Sequence, residues 1–202
     1  MDLTGTRRAL HGIAELVLAG PQYRAAGTIR LRVVPGGFGQ VAGPLRVEGA
    51  DLVWDGGRAA LTGTVRELAA RAGVEPGVPE GVYPDHSGVS PADEIVVDRE
   101  ATGLLLDWFG TGERALRGFA RESEPVLWPE HFDLAIAKDE VTYGVSPGDA
   151  EHEQPYAYVS PWEPRRGAFW NARFGAVHEL TDERSLRGFF QEGRSAASAA
   201  RG

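Results

Sequence analysis

The chain has 202 residues, a formal net charge of −8 and no cysteine. That length can bury a core without staples, the missing cysteines exclude disulfides, thiolate metal sites and thiol nucleophiles, and an acidic chain with no basic run is a poor partner for nucleic-acid phosphates. No apolar run reaches the roughly 18–20 residues a membrane span needs, and His11 and Glu15 interrupt the stretch after Arg7-Arg8 before any signal-like core forms, so the sequence reads as cytoplasmic, with no membrane partner.

The first predicted element is a helix. Thr6 is its N-cap candidate. Leu10, Ile13, Ala14 and Val17 recur at helical spacing as its buried face, and Gly20-Pro21 is expected to stop it. His11 beside that stripe reads as an edge-of-core residue. Residues 28–34 alternate apolar and polar as a strand, and short strands fit 38–41, 44–47, 51–54 and 58–61 with Gly-rich turns between them. The glycines of 34–43 lack both the G-x-G-x-x-G order and a terminal Lys-Ser/Thr, so they read as hairpin turns and not as a phosphate loop. Thr64-Val65-Arg66-Glu67 is a capping box that opens a short helix ended by Gly73.

Residues 74–94 carry four prolines and three glycines without apolar periodicity, the mark of a long loop or connector. Asp85 and His86 are lid candidates within it, although Tyr83-Pro84-Asp85-His86-Ser87 also reads as an ordinary solvated turn. Asp98 caps a second long helix with Ala101, Leu104, Leu105 and Trp108 on its apolar face. An interruption is expected at Gly110-Thr111-Gly112, with the helix resuming through Leu116 and Phe119. Strands follow at 132–137, 141–145, 156–160 and 169–177. Thr181 or Asp182 caps a last helix, and the small, polar residues 194–202 should fray. The order helix, strands, helix occurs over 5–73 and again over 97–193. The fold class is therefore α+β with a largely antiparallel sheet and flanking helices. It forms either one continuous sheet in a single globular domain, 1–202, or two similar lobes joined by 74–94.

Residues 126–162 concentrate the chemistry, with two of the five Trp, two of the five His and three of the five Tyr. His131 and Asp133 are two apart, so on a strand they share a face and form the candidate catalytic pair. Trp128, Tyr143, Ser146, Asp149, Tyr156 and Trp162 are the candidate ligand-binding residues, with Tyr158 adding to the aromatic walls. Asp149 and His152 are three apart, close enough to meet on one turn. There is no H-E-x-x-H, H-x-H or G-x-S-x-G to name a reaction. The leading reading is a small-molecule-binding protein with a pocket around 128–162, its enzymatic status open and no cofactor or metal assigned. A non-catalytic structural or interaction protein is the second reading. A metal-dependent hydrolase using His131, His152 and one of Asp133 or Asp149 is the third.

The runs L-W-P-E-H-F-D-L-A-I at 127–136, Y-G-V-S-P-G-D at 143–149, P-Y-A-Y-V-S-P-W at 155–162 and F-W-N-A-R-F-G-A at 169–176 resemble a family of uncharacterised actinobacterial proteins. The ratio of 20 Arg to 1 Lys fits the GC-rich genome such a source implies. The order of features is remotely similar to a broader bacterial domain of unknown function. The matching positions are Trp128, His131, Asp133, Ser146, Gly148, Asp149, Tyr156 and Trp162, and the resemblance implies no activity, substrate or residue role.

Overall fold

The computed structural model describes residues 1–199. One helix opens the chain in three segments: α1 (Leu3–Gly12), a π-helical stretch (Ile13–Ala19) and α2 (Gly20–Ala26). Five short strands follow: β1 (Leu31–Val34), β2 (Gly37–Gln40), β3 (Arg46–Glu48), β4 (Asp51–Trp54) and β5 (Gly57–Ala60). Helices α3 (Val65–Arg71) and α4 (Arg99–Phe119) come next, then β6 (Val126–Trp128), β7 (Asp133–Lys138), β8 (Val141–Ser146), β9 (Tyr156–Pro161), β10 (Ala176–Glu179) and α5 (Glu183–Ala199). The strands form one ten-stranded antiparallel sheet in the order β10-β9-β8-β7-β6-β1-β2-β3-β4-β5. The protein is α+β, with four helices flanking that sheet when the three-part first helix is taken as one.

The first helix departs from expectation at both ends. Asp2 is its cap, accepting the Gly5 amide at 2.9 Å. Thr6 is buried within the helix, and its hydroxyl accepts the Asp98 amide at 2.9 Å. Gly20-Pro21 does not end the helix, because the π-helical stretch has already changed the pairing: the Gly20 amide reaches back to the Glu15 carbonyl. Pro21 then falls in the first turn of α2, where its missing amide hydrogen costs little. The carbonyls left over find outside donors, the Gly77 amide on Leu16 at 3.0 Å and the Gln40 carboxamide on Leu18 at 2.9 Å. A Cβ on Gly20 would lie 1.7 Å from the Gly77 carbonyl oxygen, so only glycine admits that approach.

The chain divides into two compact units, residues 1–110 with 127–132, and residues 111–126 with 133 onward. The division falls inside α4 and at the β6–β7 turn rather than at residues 74–94. That segment stays within the first unit because it is tied along the first helix: Gly77 bonds Leu16, Arg24 bonds the Glu75 carbonyl, and Arg8 bonds both the Gly88 carbonyl and Asp93.

In the first unit, Leu31, Val33, Phe38, Val47 and Leu52 line the buried face of β1–β4. Phe38, Phe109 and Phe132 meet edge to face with centroids 5.2–6.5 Å apart. Rings packed this way gain about 0.5–1.5 kcal/mol per pair beyond their area burial. The Thr64–Glu67 capping box forms as predicted, with bonds of 2.9 and 3.2 Å.

In the second unit, β7–β10 pack one face against α5 and the latter half of α4. Phe119, Tyr143 and Phe190 cluster with centroids 4.7–6.1 Å apart. The expected interruption at Gly110-Thr111-Gly112 is absent. Gly112 stays helical and supplies close contact instead, since a Cβ there would lie 2.4 Å from the Val145 side chain. Asp182 caps α5 through the Ser185 amide at 2.8 Å. That helix continues through Ala199, so residues 194–199 do not fray, and residues 200–202 lie outside the described region. Of the strand expected at 169–177 only the last two residues are in a strand, which runs Ala176–Glu179. Gly175 turns the chain at φ 150, and the Asn171 carboxamide occupies both the amide and the carbonyl of Val177, at 2.8 and 3.1 Å.

Candidate functional site

The most concentrated chemistry of the first unit centres on Glu15, a residue of the π-helical stretch whose side chain is 0% exposed. A buried carboxylate costs several kcal/mol unless donors surround it. Here four donors do, all from one run of the 74–94 segment. The Tyr83 hydroxyl (3.2 Å) and His86 Nδ1 (2.7 Å) bond Oε1, while the Ser87 amide (2.9 Å) and hydroxyl (2.5 Å) bond Oε2. Burial alone would push the Glu15 carboxyl up. The Ser87 hydroxyl and amide, with His86, outweigh it and hold the group below the ordinary carboxylate range. Burial and the Glu15 charge push the Tyr83 phenol far above its usual value, so it stays a donor.

His86 donates from Nδ1 to Glu15, which leaves Nε2 as the unprotonated nitrogen of the neutral ring. Its side chain is 35% exposed, so the ring meets solvent. A carboxylate that fixes the tautomer and orientation of a reachable imidazole is the arrangement that acid–base catalysis uses. The Ser87 hydroxyl is committed to Glu15, so it is not the nucleophile of a Ser-His pair as arranged.

One helical turn before Glu15, His11 packs its ring on Phe132 (5.5 Å, interplanar 7°) and bonds the Pro129 carbonyl from Nε2 at 2.7 Å. Burial lowers its pKa, with partial compensation from that carbonyl and from Glu15. The Pro129–Phe132 turn brings further charge to this cluster: His131 acts on His11, and Glu130 on Tyr83.

His131 does not open a strand. β7 starts at Asp133, and Phe132 takes a positive φ of 52° in the turn between β6 and β7. The His131 side chain is 66% exposed and lies 3.8 Å from the Glu130 carboxylate. His131 and Asp133 therefore share no strand face, because the alternation that would align them begins only after the turn. Trp128 is half-buried at the end of β6.

The second unit gathers another part of the predicted set. Ser146 on β8 stands opposite Tyr156 on β9, and Gly144 stands opposite Tyr158. The Tyr158 ring lies across bare Gly144, where a Cβ would meet it at 2.5 Å, and its hydroxyl donates to Asp133. The Tyr156 hydroxyl donates to Asp149 at 2.5 Å, and the Ser146 hydroxyl accepts the Gly148 amide at 3.1 Å. Burial raises the Asp149 carboxyl, but the Tyr156 hydroxyl and the His152 and Glu151 amides bring it below its ordinary value. Asp133, Ser146, Asp149 and Tyr156 thus share one face. Tyr143 points to the other face, into the Phe119–Phe190 cluster, and Trp162 is 66% exposed just past β9.

His152 packs on Tyr156 at 5.0 Å, with Nδ1 4.0 Å from Asp149. Among the described residues no group of three or more His, Asp or Glu side chains is placed to hold a metal ion, so the donor set that the hydrolase reading needs is not assembled. A cavity of about 390 Å³ opens in the first unit, and none of its lining residues falls within 128–162.

Glu15 escaped the sequence reading, where it figured only as a break in an apolar stretch. A lone carboxylate inside Ile13–Ala19, a run in which all seven residues are buried, was the signal for it. Among the described residues no helix is long and apolar enough to cross a membrane. No family model, no curated protein and no solved structure matches the chain.

Proposed function

We propose that this chain binds a small molecule and moves a proton on it, with Glu15 and His86 as the acid–base pair. The observation that supports this reading is the buried, anionic Glu15 spent on orienting a solvent-reachable imidazole. In this reading His86 Nε2 accepts a proton from the bound molecule. The imidazolium so formed is stabilised by the Glu15 charge at 2.7 Å, and it returns the proton to the product. Tyr83 holds the other side of Oε1 and keeps the carboxylate from turning.

The test is a panel of p-nitrophenyl esters and small metabolites, followed by NMR and absorbance with the wild type and His86→Gln. Turnover in the wild type should depend on the His86 ring, and His86→Gln should lose about 10²–10⁴-fold, the usual worth of a positioned general base. Binding and turnover that ignore His86→Gln would sink the proposal.

A second, non-catalytic reading draws on one specific observation: all four donors to Glu15 come from Tyr83, His86 and Ser87, as a simple clamp on that segment would also require. Under it, His86→Gln shifts melting and nothing else.

A further inference from the structure

The outer face of β1–β3 carries a slot that the Glu15 site does not use. Arg32 on β1 stands opposite Gly39 on β2, and Gly39 stands opposite Arg46 on β3. Neighbouring strands are about 4.8 Å apart, so the two arginine Cα atoms lie roughly 10 Å apart with no side chain between them. Gly39 must stay bare, since a Cβ there would meet the Arg46 Cβ at 2.5 Å and the Leu45 carbonyl oxygen at 2.9 Å. The slot belongs to the cavity of about 390 Å³, which Val34, Pro44 and Asp55 also line.

Its floor is held from beneath. The Gln40 carboxamide accepts the Leu45 amide at 3.2 Å while donating to Leu18, and the Gln22 carboxamide accepts the Ala42 amide at 2.8 Å. The β2–β3 connection is thereby fixed at the slot's end.

The charges along this row are not equivalent. Arg58, further along the same cross-strand row, bonds Asp51 at 2.5 Å. Arg46 bonds Glu48 through Nε at 2.5 Å and the Pro44 carbonyl through Nη1 at 3.4 Å, which leaves Nη2 of its fork unused. Arg32 makes no hydrogen bond or ion pair among the described residues. A planar guanidinium with its whole fork open, facing a second one across a gap of one strand, suits the oxygens of a phosphate or carboxylate. Asp55, which also lines the cavity, would accept a hydroxyl or ammonium hydrogen from the same molecule and reject a second anionic group there.

We propose that this slot binds the oxyanion group of a small molecule, with Arg32 as the principal contact, Arg46 opposite it and Asp55 selecting a donor-bearing neighbour. The experiment titrates the intact protein with inorganic phosphate, glycerol 3-phosphate and succinate, at low ionic strength, following arginine Nε–Hε resonances by NMR. Saturable shifts confined to Arg32 and Arg46 are expected. Arg32→Ala should weaken binding about tenfold or more, the loss of a charge-assisted pair. Arg58→Ala, which removes an equal charge that is already neutralised, should leave affinity within about twofold, as an exposed paired charge would. Tighter binding of glycerol 3-phosphate than of succinate assigns a phosphate, and the reverse a carboxylate. Shifts that never saturate, or that fall equally in Arg32→Ala and Arg58→Ala, would mean general charge attraction and overturn the proposal.

Discussion

Replacing Glu15 by Gln keeps the shape of the site and removes its charge. The carboxylate receives two donors on each oxygen. Glutamine has one accepting oxygen and one NH₂ group, so either the Ser87 amide, which cannot accept, faces the NH₂, or Tyr83 must turn its hydroxyl and His86 must move its proton to Nε2 to accept from it. Leaving a buried donor unpaired costs about 1–3 kcal/mol, and partial exposure of His86 and Ser87 lets water relieve some of it. The expected loss is about 2–4 kcal/mol. A chain of this size melts about 2–4 °C lower per kcal/mol, which predicts a drop of roughly 5–15 °C at pH 7. The assay is thermal melting monitored by circular dichroism, paired with limited proteolysis of residues 79–90, which should become the first cleavage site. The gap should close in acid. Glu15 has its folded pKa depressed, so its contribution is present above the unfolded pKa and is lost as pH falls through the folded one. A variant that melts within about 1 °C of the wild type at pH 7, with residues 79–90 equally protected, would refute the account of Glu15 as a charged anchor.

Tyr143→Phe should leave stability unchanged or raise it by up to about 1 kcal/mol, since the buried hydroxyl has no hydrogen-bond partner among the described residues and burial has pushed its pKa up to about 12. Chemical denaturation checks this, and a clear loss would mean that the hydroxyl is used. Gly20→Ala should cost about 2–3 kcal/mol or more, because its Cβ meets a backbone oxygen that cannot step aside, whereas Gly103→Ala, with open space around it, should be neutral or stabilising. Acid should weaken the first unit in two stages. His11 has its folded pKa lowered, so its contribution fades as pH drops below its unfolded value of about 6.5, and that of Glu15 follows below about 4.3. Melting temperature from pH 8 to 3 for the wild type and Glu15→Gln reads both, and identical curves for the two proteins would contradict the second stage.

Local signals read well wherever a side chain answers its own backbone. The Thr64 box, the Asp98 cap and the Asp182 cap each form as their residues indicate. The hairpins β1–β2, β4–β5 and β7–β8 likewise follow from alternation ended by turn residues. Reading failed where a distant group supplied the partner. Gly20-Pro21 looks like a stop until the Gly77 amide satisfies Leu16, and Thr6 looks like a cap until the Asp98 amide finds it. Within the site, Asp149, Ser146 and Tyr156 come together because one hairpin register brings them there, which spacing could anticipate. His131 parted from Asp133 because a single left-handed residue, Phe132, separates turn from strand, and nothing in the type of that residue announces the conformation.

The π-helical stretch also bears on how this chain tolerates changes in length. Each α-helical residue turns the backbone by about 100°, so one residue more or less rotates everything beyond it. A wide turn absorbs an extra residue without that rotation, which is why such stretches behave as accommodated insertions. Removing one residue between Ile13 and Ala19 would let that stretch close to α-helical winding, with α1 and α2 keeping their orientation and Gln22 its bonds to the Thr28 and Arg30 carbonyls at 2.9 Å. What would be lost is the widening itself, which leaves the Leu16 and Leu18 carbonyls for the Gly77 amide and the Gln40 carboxamide. A deletion in this stretch is thus a local change, whereas a deletion elsewhere in the helix would rotate everything beyond it by about 100°.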